Sequence, residues 1–298
     1  MISNIQNRVS NGIYRLLFVS GAARFLRRSD AVVFCYHNVI PDEMLGRAGD
    51  PYLHISLSEF SNHLDWITSA YRIVEIGEIL SRLRNGQPVA GLAALTFDDG
   101  YAGAVRYGVP VLRSADLPFA LFPVIEAAAT RRPFWWDLFE CLGNQDRLRY
   151  LADFKGSHSA IVTEVNGAKD LCDDALPAGW SELKAVLADD CTVGLHTVTH
   201  RNLAVLAREE IRWELENSRA CVESELGRTA SIVCYPYGLS NELVEKETER
   251  AGFEAGLGLG SQMVRHGTSV FNVPRINVPA GIALASLACW SSGLKLRR

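Results

Sequence analysis

The chain has 298 residues, 48% of them apolar and 21% charged, with a net charge of −4. That leaves room for one large α/β domain, and nothing in the charge points to a nucleic-acid partner. Seven cysteines, scattered and without CxxC spacing, suit reduced thiols in a cytosol better than a disulfide framework.

From the N-terminus, Leu16-Leu17-Phe18-Val19 is too short an apolar core for a signal peptide, and no stretch reaches transmembrane length. Ile13 to Arg28 reads instead as a basic amphipathic helix, with Phe25 a natural anchor on its apolar side. Residues 1–30 are therefore expected to form a separate segment. Val32 to His37 is an apolar strand ending in Tyr-His. Ser58 caps a helix that runs to Tyr71 with Phe60, Leu64 and Ile67 on one face. A strand at Ile73–Ile76 and a helix at Ile79–Arg84 lead to the strand Leu92–Phe97, then a helix over Val105–Ala115 despite Pro110, and a strand over Phe119–Val124. Residues 126–188 are too long for a connecting loop and read as an insertion with its own structure or a functional lid. They contain Phe134-Trp135-Trp136-Asp137, whose tandem aromatics either stack on a sugar or plug a core. Helices follow at Arg208–Leu226 and at Glu242–Ala251, the latter closed by Gly252. Pro274 to Val278 is strand-like. The tail, residues 281–298, mixes Leu284, Leu287, Trp290, Leu294 and Leu296 with Lys295, Arg297 and Arg298, so a second basic amphipathic end is expected, with Trp290 as its anchor. Either end packs on the main domain or lies in a membrane interface.

Three short segments carry chemistry. Thr96-Phe97-Asp98-Asp99-Gly100-Tyr101 places adjacent carboxylates at a strand end. Two acids buried together repel unless a cation sits with them, so the pair points to a metal ligand beside a base; a solvated Asp-Asp-Gly turn is the alternative. His196-Thr197-Val198-Thr199-His200 follows another apolar run, and an i, i+4 pair on a helical turn shares one face. Asp with two His and open positions is the donor set of a hydrolytic metal site. Tyr235-Pro236-Tyr237-Gly238 follows Ile232-Val233-Cys234, and alone it would be only a Pro-Gly turn.

Together and in this order, TFDDG, HTxxH and YPYG resemble the polysaccharide deacetylases, the NodB-homology or carbohydrate esterase family 4 enzymes. The resemblance covers roughly Ala31 to Pro279. It implies a deformed (β/α) barrel over 31–280 with an inserted segment and the site at the C-terminal ends of the strands. It also implies Asp98 as general base and Asp99, His196 and His200 as ligands to a divalent metal. Zinc suits that set, and cobalt, nickel or manganese are accepted too.

The sequence departs from the family pattern twice. Cys234 stands where the family's third motif carries the Arg that orients the base, and the tail from Leu284 lacks the Leu-x-His that supplies the general acid. Tyr36-His37 at the first strand resembles the permuted branch that deacetylates poly-N-acetylglucosamine. That makes His37 the candidate acid, with His266 as fallback, and Arg275 the candidate partner of Asp98. Tyr237, Tyr101, Trp135 and Trp136 are candidates for oxyanion or substrate contact. His54, His63 and His158, without motif context, read as surface or packing residues. The implied activity is metal-dependent de-N-acetylation of N-acetylhexosamine residues in a polysaccharide or its lipid-linked precursor. An O-acetyl esterase or a non-catalytic carbohydrate-binding barrel are the alternatives. The expected partner is an N-acetylated glycan, and the expected location is cytoplasmic, peripheral on the inner membrane face.

Overall fold

The computed structural model describes residues 2–22, 30–138, 144–157, 160, 170–186, 191–260 and 262–294. Helix α1 spans Ile2–Val19 and stops at Gly21, which takes a left-handed conformation (φ 74°). The helix therefore begins about ten residues earlier than its sequence pattern suggests. Phe25 and the arginines at 24, 27 and 28 lie outside the described residues.

Strand β1 (Val32–Tyr36) is buried at every position, as a continuous apolar strand covered on both faces should be. The chain breaks at His37 and resumes as β2 (Asn38–Ile40), which pairs in parallel with β3 (His54–Ser56). Helix α2 (Leu57–Ala70) is capped by Ser56, whose Oγ accepts the amide of Glu59 at 3.1 Å, so the cap falls two residues before Ser58. Short β4 (Arg72–Ile73) and α3 (Ile76–Arg84) lead to β5 (Leu92–Asp99), buried along its whole length. Pro110 is tolerated because a wide turn over Ala104–Gly108 precedes it, which leaves Pro110 in the first turn of α4 (Val109–Ser114).

Next come β6 (Phe119–Pro123), α5 (Ile125–Thr130), α6 (Trp135–Leu138), α7 (Asn144–Asp153) and α8 (Trp180–Val186). The region expected as an insertion thus carries short helices, and its His158 lies outside the described residues. Strand β7 (Cys191–Val193), α9 (Arg208–Leu226), β8 (Ile232–Cys234), α10 (Glu242–Arg250), β9 (Ala255–Leu257), β10 (Ile276–Asn277) and α11 (Leu284–Trp290) complete the order.

The main sheet runs β10-β1-β5-β6-β7, all parallel, with β4 beside the start of β5. Parallel β8 and β9 form a separate pair. Single bridges join them to the rest, Leu195 to Val233 on one side and Leu257 to Val273 on the other. The strands therefore curl into an irregular barrel, closed by two bridges rather than full ladders. This is the deformed (β/α) barrel.

The two chain ends meet. Helix α11 buries Leu287, Ala288, Cys289 and Trp290, and the Cys289 thiol reaches the carbonyl of Tyr14 on α1 at 3.8 Å. Trp290 is a packing residue, not an outward anchor. Lys295 and beyond lie outside the described residues. No helix among those described is long and apolar enough to cross a membrane.

Candidate active site

The C-terminal strand ends converge on one cleft of about 150 Å³, lined by His37, Leu53, Asp98, Asp99, Trp136, His196, His200, Tyr237, Gly238 and Leu259. Adjacent residues on a strand face opposite ways, yet both acids line it. Asp99 adopts a left-handed backbone (φ 68°), which swings its carboxylate to the side Asp98 already faces. Gly100 follows at φ 80°, and a Cβ there would sit 2.9 Å from Cβ of Pro123, so only glycine fits the turn.

Asp98 is fully engaged. Arg275 enters from the strand-like segment before β10 and donates from Nη1 to Oδ1 at 2.7 Å and from Nη2 to Oδ2 at 2.6 Å. Its Nε donates to the carbonyl of Gly258 at 3.0 Å and Nη1 also meets Thr96 Oγ1 at 3.1 Å. A buried guanidinium is thereby satisfied on every side. The Cys35 thiol donates to Asp98 Oδ2 at 3.3 Å, and Cys234, at the position of the family's arginine, is fully buried. Burial alone would raise Asp98, but Arg275 and then His196 outweigh it and hold the acid below the usual carboxylate range.

Asp99 has no such partner. Burial, then the neighbouring Asp98 and Asp137, push it well above the usual range. Its Oδ1 lies 3.6 Å from Nε2 of both His196 and His200, and those two nitrogens are 3.2 Å apart. His196 Nδ1 donates to the Cys234 carbonyl at 2.8 Å, so its Nε2 carries the lone pair that faces Asp99 and His200. Burial lowers His196 and keeps it neutral, the form that binds metal. Three donors about 3.3 Å apart are what tetrahedral ligation at 2.0–2.2 Å requires, to within about 0.3 Å. The donor set fits a divalent cation, and an otherwise uncompensated buried carboxylate calls for one.

The histidine segment is not a helical turn. Thr197 and His200 both have positive φ, 66° and 57°. Buried Glu214 on α9 shapes the loop: it accepts the amides of Val198 and Thr199 at 2.9 and 3.0 Å and the Thr199 hydroxyl. Thr197 Oγ1 then accepts the amide of His200 at 3.1 Å. The i, i+4 spacing brings the imidazoles together through this loop rather than through a helix face. Left-handed backbone also occurs at Tyr237 (φ 60°), so four strained positions ring the cleft.

His200 is clamped between rings, with Trp136 4.9 Å away on one side and Tyr237 4.7 Å on the other. Trp136 is held from behind. Its Nε1 donates to the Tyr101 hydroxyl at 2.8 Å, which donates to Asp137 Oδ2 at 2.7 Å. Asp137 Oδ1 accepts from His54 Nε2 at 2.8 Å and from the Asp50 amide at 2.9 Å. The Asn38 side-chain amide donates to His54 Nδ1 at 2.9 Å, which fixes the proton on Nε2. Tyr101 is thus a buried support for Trp136 and does not line the cleft. Trp135 is 1% exposed and packs edge-on against Trp136, so it is a core residue and not a sugar platform. His63 is a buried packing residue, whereas buried His54 belongs to this network.

His37 stands at the cleft, partly exposed, and one of its ring nitrogens lies within 4.8 Å of the Asp98 carboxylate and the Cys35 sulfur. Burial lowers it to about 4. His266 lines a different, open cleft with Glu245, Arg265 and Asn272, so the fallback acid is away from the acids and histidines. Glu214, Asp137 and His54 carry no motif signature. The run Phe134–Asp137, with its acid directly after two tryptophans, is the only local hint of the supporting network.

Comparison with known proteins bears on the family and the fold. Residues 85–256 match the polysaccharide deacetylase family model. The chain is 18% identical over 245 residues to YxkH of Bacillus subtilis (strain 168), which carries a polysaccharide deacetylase name, covering 82% of this chain and 72% of that one. Its fold is shared with IcaB from Ammonifex degensii (TM-score 0.65, 22% identity, 89% of this chain and 97% of that one). It is also shared with the deacetylase PplD of Streptococcus pyogenes, solved in complex with acetate (TM-score 0.64, 14% identity, 87% and 97%).

Proposed function

The chain belongs to the polysaccharide deacetylase family, and from that premise we propose that it is a metal-dependent hydrolase that removes N-acetyl groups from N-acetylhexosamine residues of a polysaccharide or its lipid-linked precursor. One observation carries the reading: a base locked by Arg275 and a three-donor cluster of Asp99, His196 and His200 share one small cleft with His37. The cleft is well below the roughly 300–1,000 Å³ of pockets that enclose whole ligands, so it suits a substituent such as acetyl with the sugar left outside.

Asp99, His196 and His200 would hold the cation. When bound, a divalent ion there supplies Lewis acidity to the acetyl carbonyl and the attacking water. Zinc is the expected metal, with cobalt, nickel or manganese as substitutes. Asp98, kept ionised by Arg275, takes the proton from water as it adds to the carbonyl carbon. A carboxylate held this acidic does not retain the proton. His37, with a ring nitrogen within 4.8 Å, is the group placed to pass it to the departing nitrogen. The C–N bond breaks, and acetate and a free amine are released. Trp136 and Tyr237 hold His200 in place and wall off the acetyl end.

The test is acetate release from N-acetylglucosamine oligomers by protein supplied with each divalent metal in turn. Release that requires metal supports the reading; no release from N-acetyl substrates with any metal defeats it. His37→Ala should slow amide cleavage strongly and cleavage of a matched O-acetyl ester less, because an alkoxide leaves with less need of a proton.

A further inference from the structure

The first helix has two apolar faces, and the fold uses one. Tyr14 is buried against α11, and Leu17 and Phe18 pack beside it. Ile13, Leu16 and Val19 are 41%, 71% and 77% exposed. Spaced by three, they form one outward stripe. The other large apolar residues that are exposed, Leu45, Tyr52, Leu148, Val205, Trp213 and Leu239, stand singly on separate elements. Isolated exposed apolar residues are ordinary, whereas an ordered stripe on a docked helix marks a contact surface.

Charge identifies the partner. Helix α1 contains no acidic residue and two arginines, of which Arg15 is exposed beside the stripe. The first 30 residues hold five arginines and one acid, in a chain whose net charge is −4. A positive apolar face on a negative protein complements an anionic surface. A second copy of α1 would set like charges against each other. Since no described helix can cross a membrane, the geometry points to a helix that lies in the plane of an interface.

We propose that the outward stripe of α1 docks the enzyme on an anionic lipid surface, with Ile13, Leu16 and Val19 entering the acyl boundary and Arg15 at the headgroups. Because α11 holds the opposite face of α1, docking requires no unfolding of the barrel. A single helix of this kind binds reversibly and is assisted by anionic lipid, so attachment weakens with salt.

The experiment is flotation of the full-length protein with phosphatidylglycerol-containing vesicles and with pure phosphatidylcholine vesicles, at about 0.05 and about 0.5 M salt. The expected result is binding to the anionic vesicles at low salt that falls at high salt, with about a tenfold or larger loss in Leu16→Asp and Val19→Asp. Arg15→Glu should lose affinity mainly at low salt. The melting profile and acetate release from a soluble oligomer should be unchanged in all three, since these side chains face away from the barrel. Protein that stays unbound with anionic vesicles at low salt overturns the proposal. So does equal, salt-insensitive binding to both vesicle types. Sedimentation velocity showing a dimer that Leu16→Asp dissolves would assign the stripe to a second copy and overturn it as well.

Discussion

The two halves of the cleft solve the problem of a buried acid in opposite ways. On one side Asp98 meets a guanidinium and a thiol, a network complete within the chain. On the other, Asp99 meets two imidazoles and the fields of two other carboxylates, which outweigh the pull of Arg275. Adjacent residues of one strand thus acquire opposite shifts from identical chemistry. The fold neutralises Asp98 from within and leaves Asp99 in a donor set that fits a cation.

That contrast can be broken most severely at the ligands. His196→Ala should abolish bound metal, measured by elemental analysis, and cut turnover by about a thousandfold or more. Asp98→Asn should keep full metal content and lose about 10²–10⁴ in kcat, since it removes a base and no ligand. If instead it lost the metal with the same severity, the division between the two acids would be wrong.

Arg275→Met tests the self-contained half. It strands an anion inside the barrel, and unfolding measurements should show a loss of about 3–5 kcal/mol, part of which the double variant with Asp98→Asn recovers. The pH dependence follows from the sign. Asp98 is lowered in the folded state, so its pairing stabilises at and above the usual carboxylate range and is lost as pH falls below it.

Asp99 behaves in reverse. Its proton is held more tightly when folded, so metal-free protein should lose stability as pH rises from the usual carboxylate range toward the raised value. Asp99→Asn should flatten that dependence and raise the melting temperature of the metal-free protein, while metal should restore the wild type. A wild-type metal-free melting temperature that does not fall over this range would show that Asp99 is compensated in some other way. The smallest effect is expected from Tyr101→Phe, which removes the hydroxyl between Trp136 and Asp137. About 1–3 kcal/mol of stability and a several-fold loss in kcat, with metal content intact, would match a supporting role.

Much of this was legible in the residues. The buried strands were visible as apolar runs, and the order of the three motifs implied both the fold and the convergence of Asp99, His196 and His200 at strand ends. Barrel closure was not, because two single bridges at Leu195 and Leu257 leave no pattern in a sequence. The histidine loop was misread as helical because the spacing is the same. What decides it is Glu214, which supplies a long-range acceptor for three donors on that loop. The His54–Asp137–Tyr101 chain was hidden for a similar reason. Its members lie up to 83 positions apart, and only the fold makes them neighbours. Trp135 and Trp136 show the limit of composition: adjacent and chemically identical, one fills the core and the other walls the cleft.

The distance along the chain between Asp98 and Arg275 has a consequence for biosynthesis. The two are 177 positions apart. At about 5–20 residues per second, a nascent chain exposes the acid roughly 9–35 s before its guanidinium exists. The interior cannot close around a lone carboxylate at no cost, so a segment made late, just before β10, is the one that neutralises the first motif. A chain released before Arg275 would lack more than β10. It would carry an unanswered charge in the centre of the barrel, and protein quality control would meet it as an unfolded chain rather than as a slow enzyme.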